Sequence, residues 1–266
     1  AGDAATVKNS GYSRELAMIS WFGRVNYDYA GKYLFEANIR ADASSRFAKG
    51  HRWGYFPSFS AAWRISEEAF MEEAVGWLTD LKIRGSYGNL GNQSALSDFY
   101  PWMNSYDLDA HYSLNGSLQT GYHQKNYKIA TISWEKARTW GVGIDATLFG
   151  KLTVGLDYYD RKTTGIIMDV PVPAEFGLGA YKDNVGAMVN RGVELTLNYN
   201  ESWDDWSFGV SANLAYNKNK VLYLDGVQSL ADGDLKVKQV GAAYGTYRLY
   251  KLSLIHISEP TRPRLI

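Results

Sequence analysis

Apolar and polar residues alternate one by one over most of this chain. In "WGVGIDATLFGKLTVGLDYYDR", Trp140, Val142, Ile144, Ala146 and Leu148 share one face, and Leu152, Val154, Leu156 and Tyr158 continue it beyond a turn at Phe149-Gly150-Lys151. Gly141, Gly143, Asp145 and Thr147, then Thr153, Gly155, Asp157 and Tyr159, lie opposite. A period of two predicts strands, here joined as a hairpin.

The same alternation recurs in "MISWFGRVNYDYAG", "KYLFEANIRADASSRF", "YFPSFSAAWRIS", "TDLKIRGSYG", "VNRGVELTLNYN" and "WSFGVSANLAYN". About eight strands of roughly ten residues result, the length a tilted strand needs to cross a bilayer. "YAGK", "FGK" and "NESWDD" are short connections, whereas "SSRFAKGHRWG", the stretch from Asn89 to about Ser133 and that from Lys162 to about Met188 are long. Short turns at one end and long loops at the other are the outer-membrane barrel pattern. One short-end connection, "SEEAFMEEAVGWLTD", is predicted as a short amphipathic helix with Ser66 as N-cap. Tyr27, Tyr29, Tyr33 and Phe35, with Tyr199, Trp203 and Trp206, crowd the short-turn ends as half of an aromatic girdle.

Composition changes this picture little. Tyr (20) and Trp (9) are abundant, the net charge is zero and cysteine is absent. Neutrality gives no bulk attraction to nucleic acid, and without cysteine there are neither disulfides nor thiolate metal sites. No apolar run is long enough for a spanning helix, and the first residues show no signal peptide; a barrel passes both filters. The rival is a soluble β-rich, carbohydrate-binding surface domain whose apolar face packs as a core. Against it stands the polar face, which carries Arg24, Glu36, Arg40, Lys82, Arg84, Asp157 and Glu194 as a wet lumen would.

The phrases "SWFGRVNYDYAGKYLFEANIRADASSRFAKGHRWGYFPSFSAAWRISEEAF", "WLTDLKIRGSYGNLGNQ", "SWEKARTWGVGIDATLFGKLTVGLDYYDRKTTGIIMDVPVP" and "NVGAMVNRGVELTLNYN" occur in an order and spacing that resemble the barrel of SusC-like TonB-dependent outer-membrane transporters. The resemblance implies an all-β antiparallel transmembrane barrel of roughly 22 strands, of which this chain holds about eight. It implies import of oligosaccharides or peptides through the outer membrane of a Bacteroidetes-type Gram-negative cell. A SusD-like surface lipoprotein would serve as lid, TonB would supply energy, and no cofactor or catalysis would be needed. No plug domain, TonB-binding box or aromatic-terminated final strand is recognised in the sequence.

The expected division is residues 1–251 as barrel and 252–266 as a non-native tail. "LSLIHISEPTR", Leu252 to Arg262, resembles a translated sequencing-library adapter, which fits a metagenomic origin. His51, His111 and His123 sit singly, without metal-binding spacing. Asp225, Asp232 and Asp234 read as turn residues rather than a calcium site, and the Gly-rich "GSYGNLGNQ" lacks the helix a phosphate loop requires. Arg24, Arg40, Arg84 and Glu194 are expected to face the lumen. In the long loop, Tyr100, Trp102, Tyr106 and Tyr112, among Asn, Asp and Ser, are candidate sugar-stacking residues, with Trp102 foremost.

Overall fold

The computed structural model describes residues 11–74, 76–124, 127–225, 228–233, 235–249 and 264–265. Eight long strands form one antiparallel sheet: β1 (Met18–Tyr29), β2 (Tyr33–Ser44), β3 (Trp53–Arg64), β4 (Leu78–Asn92), β7 (Glu135–Leu148), β8 (Leu152–Val170), β9 (Tyr181–Trp203) and β10 (Trp206–Leu224). The chain between β4 and β7 holds a separate hairpin, β5 (Tyr106–Leu114) and β6 (Ser117–Gln124). Short strands β11 (Ser229–Asp232), β12 (Lys236–Gln239) and β13 (Thr246–Leu249) follow β10, and a two-residue β14 (Arg264–Leu265) pairs with β13. The rest of the 252–266 tail, His256 and Arg262 included, lies outside the described residues.

Hairpin turns set the register. Ala30 and Gly31 turn β1 into β2, and Phe149 and Gly150 turn β7 into β8, all with positive φ. Positive φ at both central residues matches the right-handed twist of the flanking strands. The ladders then align like with like. Ile83 pairs with Ile144, Ile144 with Leu156, Leu156 with Leu195 and Leu195 with Leu214, giving one apolar row across five strands.

This apolar face has no second layer over it. Trp21 is 70 % exposed, Val142 52 % and Leu214 68 %. Burying Val or Leu stabilises by about 1.5–3 kcal/mol each, so a bare wall of them needs another solvent, and lipid provides it. A sandwich core is therefore ruled out for this face among the described residues. Along β9 the band runs from Tyr199 through Leu197 and Leu195 to Val193. Outward-facing aromatics also recur at the long-loop end, at Trp21, Trp53, Tyr55, Tyr87 and Trp140, so the second half of the girdle is present as well.

Four expectations need correcting. The eight strands run to 12–23 residues rather than about ten. The connection expected over residues 162–188 shrinks to 171–180, because β8 and β9 continue past bulges near Thr164 and Ile166. "NESWDD" is mostly strand, with Asp204 and Asp205 alone between β9 and β10. The expected helix is two 3₁₀ segments, Ile65–Glu67 and Ala69–Ala74. Ser66 does not cap it: Arg64 is the capping position, without a side-chain bond, and the Ser66 hydroxyl meets Asp80 Oδ1 at 3.0 Å.

Candidate functional site

The polar face of the sheet forms an open trough of about 830 Å³, lined by Glu36, Ser60, Lys82, Arg84, Asp157 and Glu194 among others. Its floor is built by glycine placement. Arg84 on β4, Gly143 on β7 and Asp157 on β8 lie side by side in the ladder. A Cβ at Gly143 would come within 2.5 Å of Asp157 Oδ1 and 2.9 Å of Arg84 Cζ. The glycine thus leaves the gap through which Arg84 reaches across a strand, its Nη2 donating to Asp157 Oδ2 at 2.7 Å. Arg84 Nε also donates to Asp145 Oδ2 at 3.0 Å, and Lys82 Nζ lies 3.0 Å from the same oxygen. Two cations and two carboxylates cancel in this network.

Arg24 and Arg40, on the same polar face, are paired too. Arg24 Nη2 meets Glu36 Oε2 at 2.5 Å, and Glu36 accepts a second bond from Asn38. Arg40 Nε meets Asp42 Oδ2 at 2.8 Å, with its Nη2 on Ser20. Glu194 lies next to Asp157 in the β8–β9 ladder and lines the same trough. All four residues expected to face the lumen lie on this face, and the arginines brace the wall rather than project as free charges.

At the short-turn end, Glu68 gathers three donors: the Tyr33 hydroxyl at 2.8 Å, the Trp63 indole at 3.1 Å and Lys32 Nζ at 3.3 Å. The Tyr33 and Trp63 bonds hold its carboxyl below the usual carboxylate range, Lys32 adding to them against a smaller opposing effect of burial.

At the opposite end the 93–134 connection folds back onto the wall. Phe47, Phe56, Leu96, Ile132, Trp134 and Ile167 form a buried cluster, with Trp102 half-buried against it. Phe56 fits because Gly54 and Gly91 flank its ring, where any Cβ would collide with it. Polar anchors reinforce the cluster. Trp134 Nε1 donates to Arg52 O at 2.9 Å, and Asn92 Nδ2 donates to Glu135 Oε2 at 2.6 Å. Asn184 bridges Ser133 and Gly165. Lys128 pairs with Asp98 and donates to Tyr100 O at 3.1 Å. Burial alone would raise the Asp98 carboxyl, but the Lys128 bond and the Tyr100 and Phe99 amides outweigh it and hold it low.

This anchored base presents the aromatics unequally. Tyr106 and Tyr122 meet edge to face with centroids 6.1 Å apart, and Tyr106 and Tyr112 are more than half exposed. Tyr100 is 38 % exposed, while the Trp102 indole N–H is buried without a partner among the described residues. The four candidates are therefore split between hairpin and base. Sequence reasoning missed the hairpin, although its signal was present: Asn115-Gly116 is a strong two-residue turn pair, and both residues have positive φ. No group of three or more His, Asp or Glu that could hold a metal occurs among the described residues.

Comparison with known proteins gives a consistent answer. The chain is 34% identical over 229 residues to the TonB-dependent receptor SusC of Bacteroides thetaiotaomicron, covering 84% of this chain and 23% of that protein. It is 37% identical over 212 residues to the TonB-dependent receptor P26 of Formosa agariphila, covering 78% and 21%. Among solved structures it superposes on the RagAB peptide importer in its closed-closed state with a TM-score of 0.78 and 27% identity, over 89% of this chain and 26% of that one. The chain spans roughly a quarter or less of the length of these relatives. Residues 2–252 match the family described as TonB dependent receptor-like, β-barrel, and the chain belongs to that family of outer-membrane β-barrels.

Proposed function

We propose that this chain forms part of the barrel wall of an outer-membrane nutrient importer, energised through TonB and working with a SusD-like lipoprotein lid. The observation that carries the reading is the two-faced sheet: a continuous apolar band outside and a charge-balanced trough inside, on a chain 34% identical to SusC. A wall of this kind conducts and orients cargo without making or breaking covalent bonds. The cargo is an oligosaccharide or a peptide; the name of the RagAB neighbour favours the peptide, and the aromatic hairpin suits either. Tyr106 and Tyr112, with Tyr100 and Trp102 at their base, are the contact residues we assign to it. The family match stops at residue 252, which supports reading the tail beyond it as non-native.

The test is uptake. The complete receptor carrying this sequence, restored to a deletion host, should import labelled oligosaccharides or peptides, and a protonophore should abolish that import. Energy-independent uptake, or none of either cargo, would overturn the reading. Calorimetric titration of the receptor with Tyr106→Ala should weaken binding of whichever cargo is imported; an unchanged affinity removes the hairpin from the site.

A further inference from the structure

The outward face has a feature that import does not require. Its apolar rows end at Tyr87 and Trp140, which pair across β4 and β7. The next row outward on the same face is Asn89, Arg138, Lys162, Val189 and Lys220, in ladder order across five strands. Lys136 stands one step beyond Arg138 on that face. Two residues along a tilted strand advance roughly 5 Å along the membrane normal, so this row lies just past the aromatic girdle, at headgroup level.

A notch opens at the same place. The β3–β4 ladder stops at Ser58–Gly88, leaving the outer half of β3 unpaired with β4. The resulting hollow, about 340 Å³, is lined by Tyr55, Phe56, Tyr87, Asn89, Lys136, Arg138, Lys162 and Thr164, with no carboxylate among them. Lys136, Arg138 and Lys162 form no ion pair among the described residues, whereas Arg24, Arg40 and Arg84 on the polar face do. The nearest acid on this face in the ladder, Asp160, is taken by Arg191 at 2.6 Å. Three cations gathered without a counter-charge repel one another, and an anion at the membrane surface removes that cost.

We infer that this notch binds the phosphate groups of an anionic lipid of the outer leaflet. Arg138 supplies a planar fork suited to two phosphate oxygens, the lysines supply point charges, and the Asn89 amide adds a neutral donor. Tyr55 and Tyr87 lie beside the sugar or glycerol portion, their rings apolar and their hydroxyls polar. The site rests on the barrel reading, since it needs the apolar band to be immersed.

The experiment uses the complete receptor extracted from outer membranes in mild detergent. Native mass spectrometry would follow its binding of bisphosphorylated, monophosphorylated and dephosphorylated lipid A. The wild type should prefer them in that order. Lys136→Gln/Arg138→Gln/Lys162→Gln should weaken binding of the bisphosphorylated form on the order of tenfold or more. Arg138→Lys should fall between the two, and Lys49→Gln in the β2–β3 loop should match the wild type. Equal binding of all three lipids, or a triple variant that binds like the wild type, overturns the proposal. So does loss of lipoprotein association, instead of lipid binding, in the triple variant, which would make the notch a protein contact. Heat-modifiable migration separates the two readings: a receptor lacking it, recovered outside the membrane, overturns the barrel reading and the lipid site with it. A receptor that keeps it and shows no phosphate preference overturns the lipid site alone.

Discussion

Leu195→Arg tests whether the apolar face meets lipid. Leu195 sits in the middle of the row Ile83, Ile144, Leu156, Leu195 and Leu214. Along β9 it lies four residues from Tyr199 on the turn side and four from Arg191, the ladder neighbour of Asp160 beside Trp140. Eight residues rise about 27 Å along a strand, or roughly 20 Å along the normal at a tilt near 40°. That places Leu195 close to the bilayer midplane, where a lipid-facing arginine costs about 2–4 kcal/mol. The folding equilibrium should shift by roughly 30- to 800-fold. Thr196→Arg, one residue on, points into the exposed trough side and should cost about 0–0.5 kcal/mol. Denaturant titration of the complete receptor refolded into phosphatidylcholine vesicles measures both. Equal costs at Leu195 and Thr196, or a cost below about 0.5 kcal/mol at Leu195, would refute the assignment of faces.

Arg84→Met removes the ion pairs with Asp145 and Asp157 and strands Asp157 beside Gly143, but Arg84 is partly exposed and solvent screens what remains. A loss of about 1 kcal/mol in the same titration is expected, and no change would show that the bridge is ornamental. Gly91→Ala pushes a methyl group into the Phe56 ring, so overpacking should cost about 1–3 kcal/mol and raise proteolysis of the 93–134 connection. An undisturbed digestion pattern would count against the cluster as its anchor. Because the folded state lowers the Glu68 carboxyl, its contribution is full above the usual glutamate range and is lost as pH falls through the lowered value. Acidification should therefore change Trp63 fluorescence, and Glu68→Gln should remove that transition; a transition that persists in the variant belongs to another group. Expressed alone, the chain leaves β1 and β10 as unpaired edges of the sheet and should aggregate. A monodisperse, heat-modifiable monomer would contradict this.

The strands were legible because alternation is a local signal that survives wherever one face is uniform. It failed where the backbone changes phase. After Gly165 the bulges in β8 put Ile166, Ile167 and Met168 in succession, which reads as a loop or a buried run although the strand continues. The 65–77 connection has helical composition, but Ser66 bonds sideways to Asp80 and Arg64 N–H bonds to Lys32 O, so its first turn tightens into 3₁₀ geometry. The polar-face residues could be assigned to one face by parity. Their partners could not, because Arg84 reaches Asp157 across 73 positions of sequence and through a gap left by Gly143. The basic row was visible only by extending the parity of Trp140 to Arg138 and Lys136, past the point where apolar residues stop marking the face. For the aromatic loop, composition singled out Tyr100, Trp102, Tyr106 and Tyr112 alike and carried no information on how deeply Trp102 packs or how far Tyr106 and Tyr112 stand exposed.

The order of the strands also bears on how the wall assembles. Every ladder of the main sheet joins consecutive strands except β4 with β7, which must close across residues 93–134. Relative to a three-residue turn, closing a loop of that length costs about 2 kcal/mol more entropy. Zipping of the wall should pause there, with β1–β4 and β7–β10 forming as two independent meanders. The β5–β6 hairpin, closed locally at the Asn115-Gly116 turn, shortens the slack chain between them. The Phe56–Trp134 contact, joining a residue of β3 to the last residue before β7, should then serve as the clasp that brings the two halves into register.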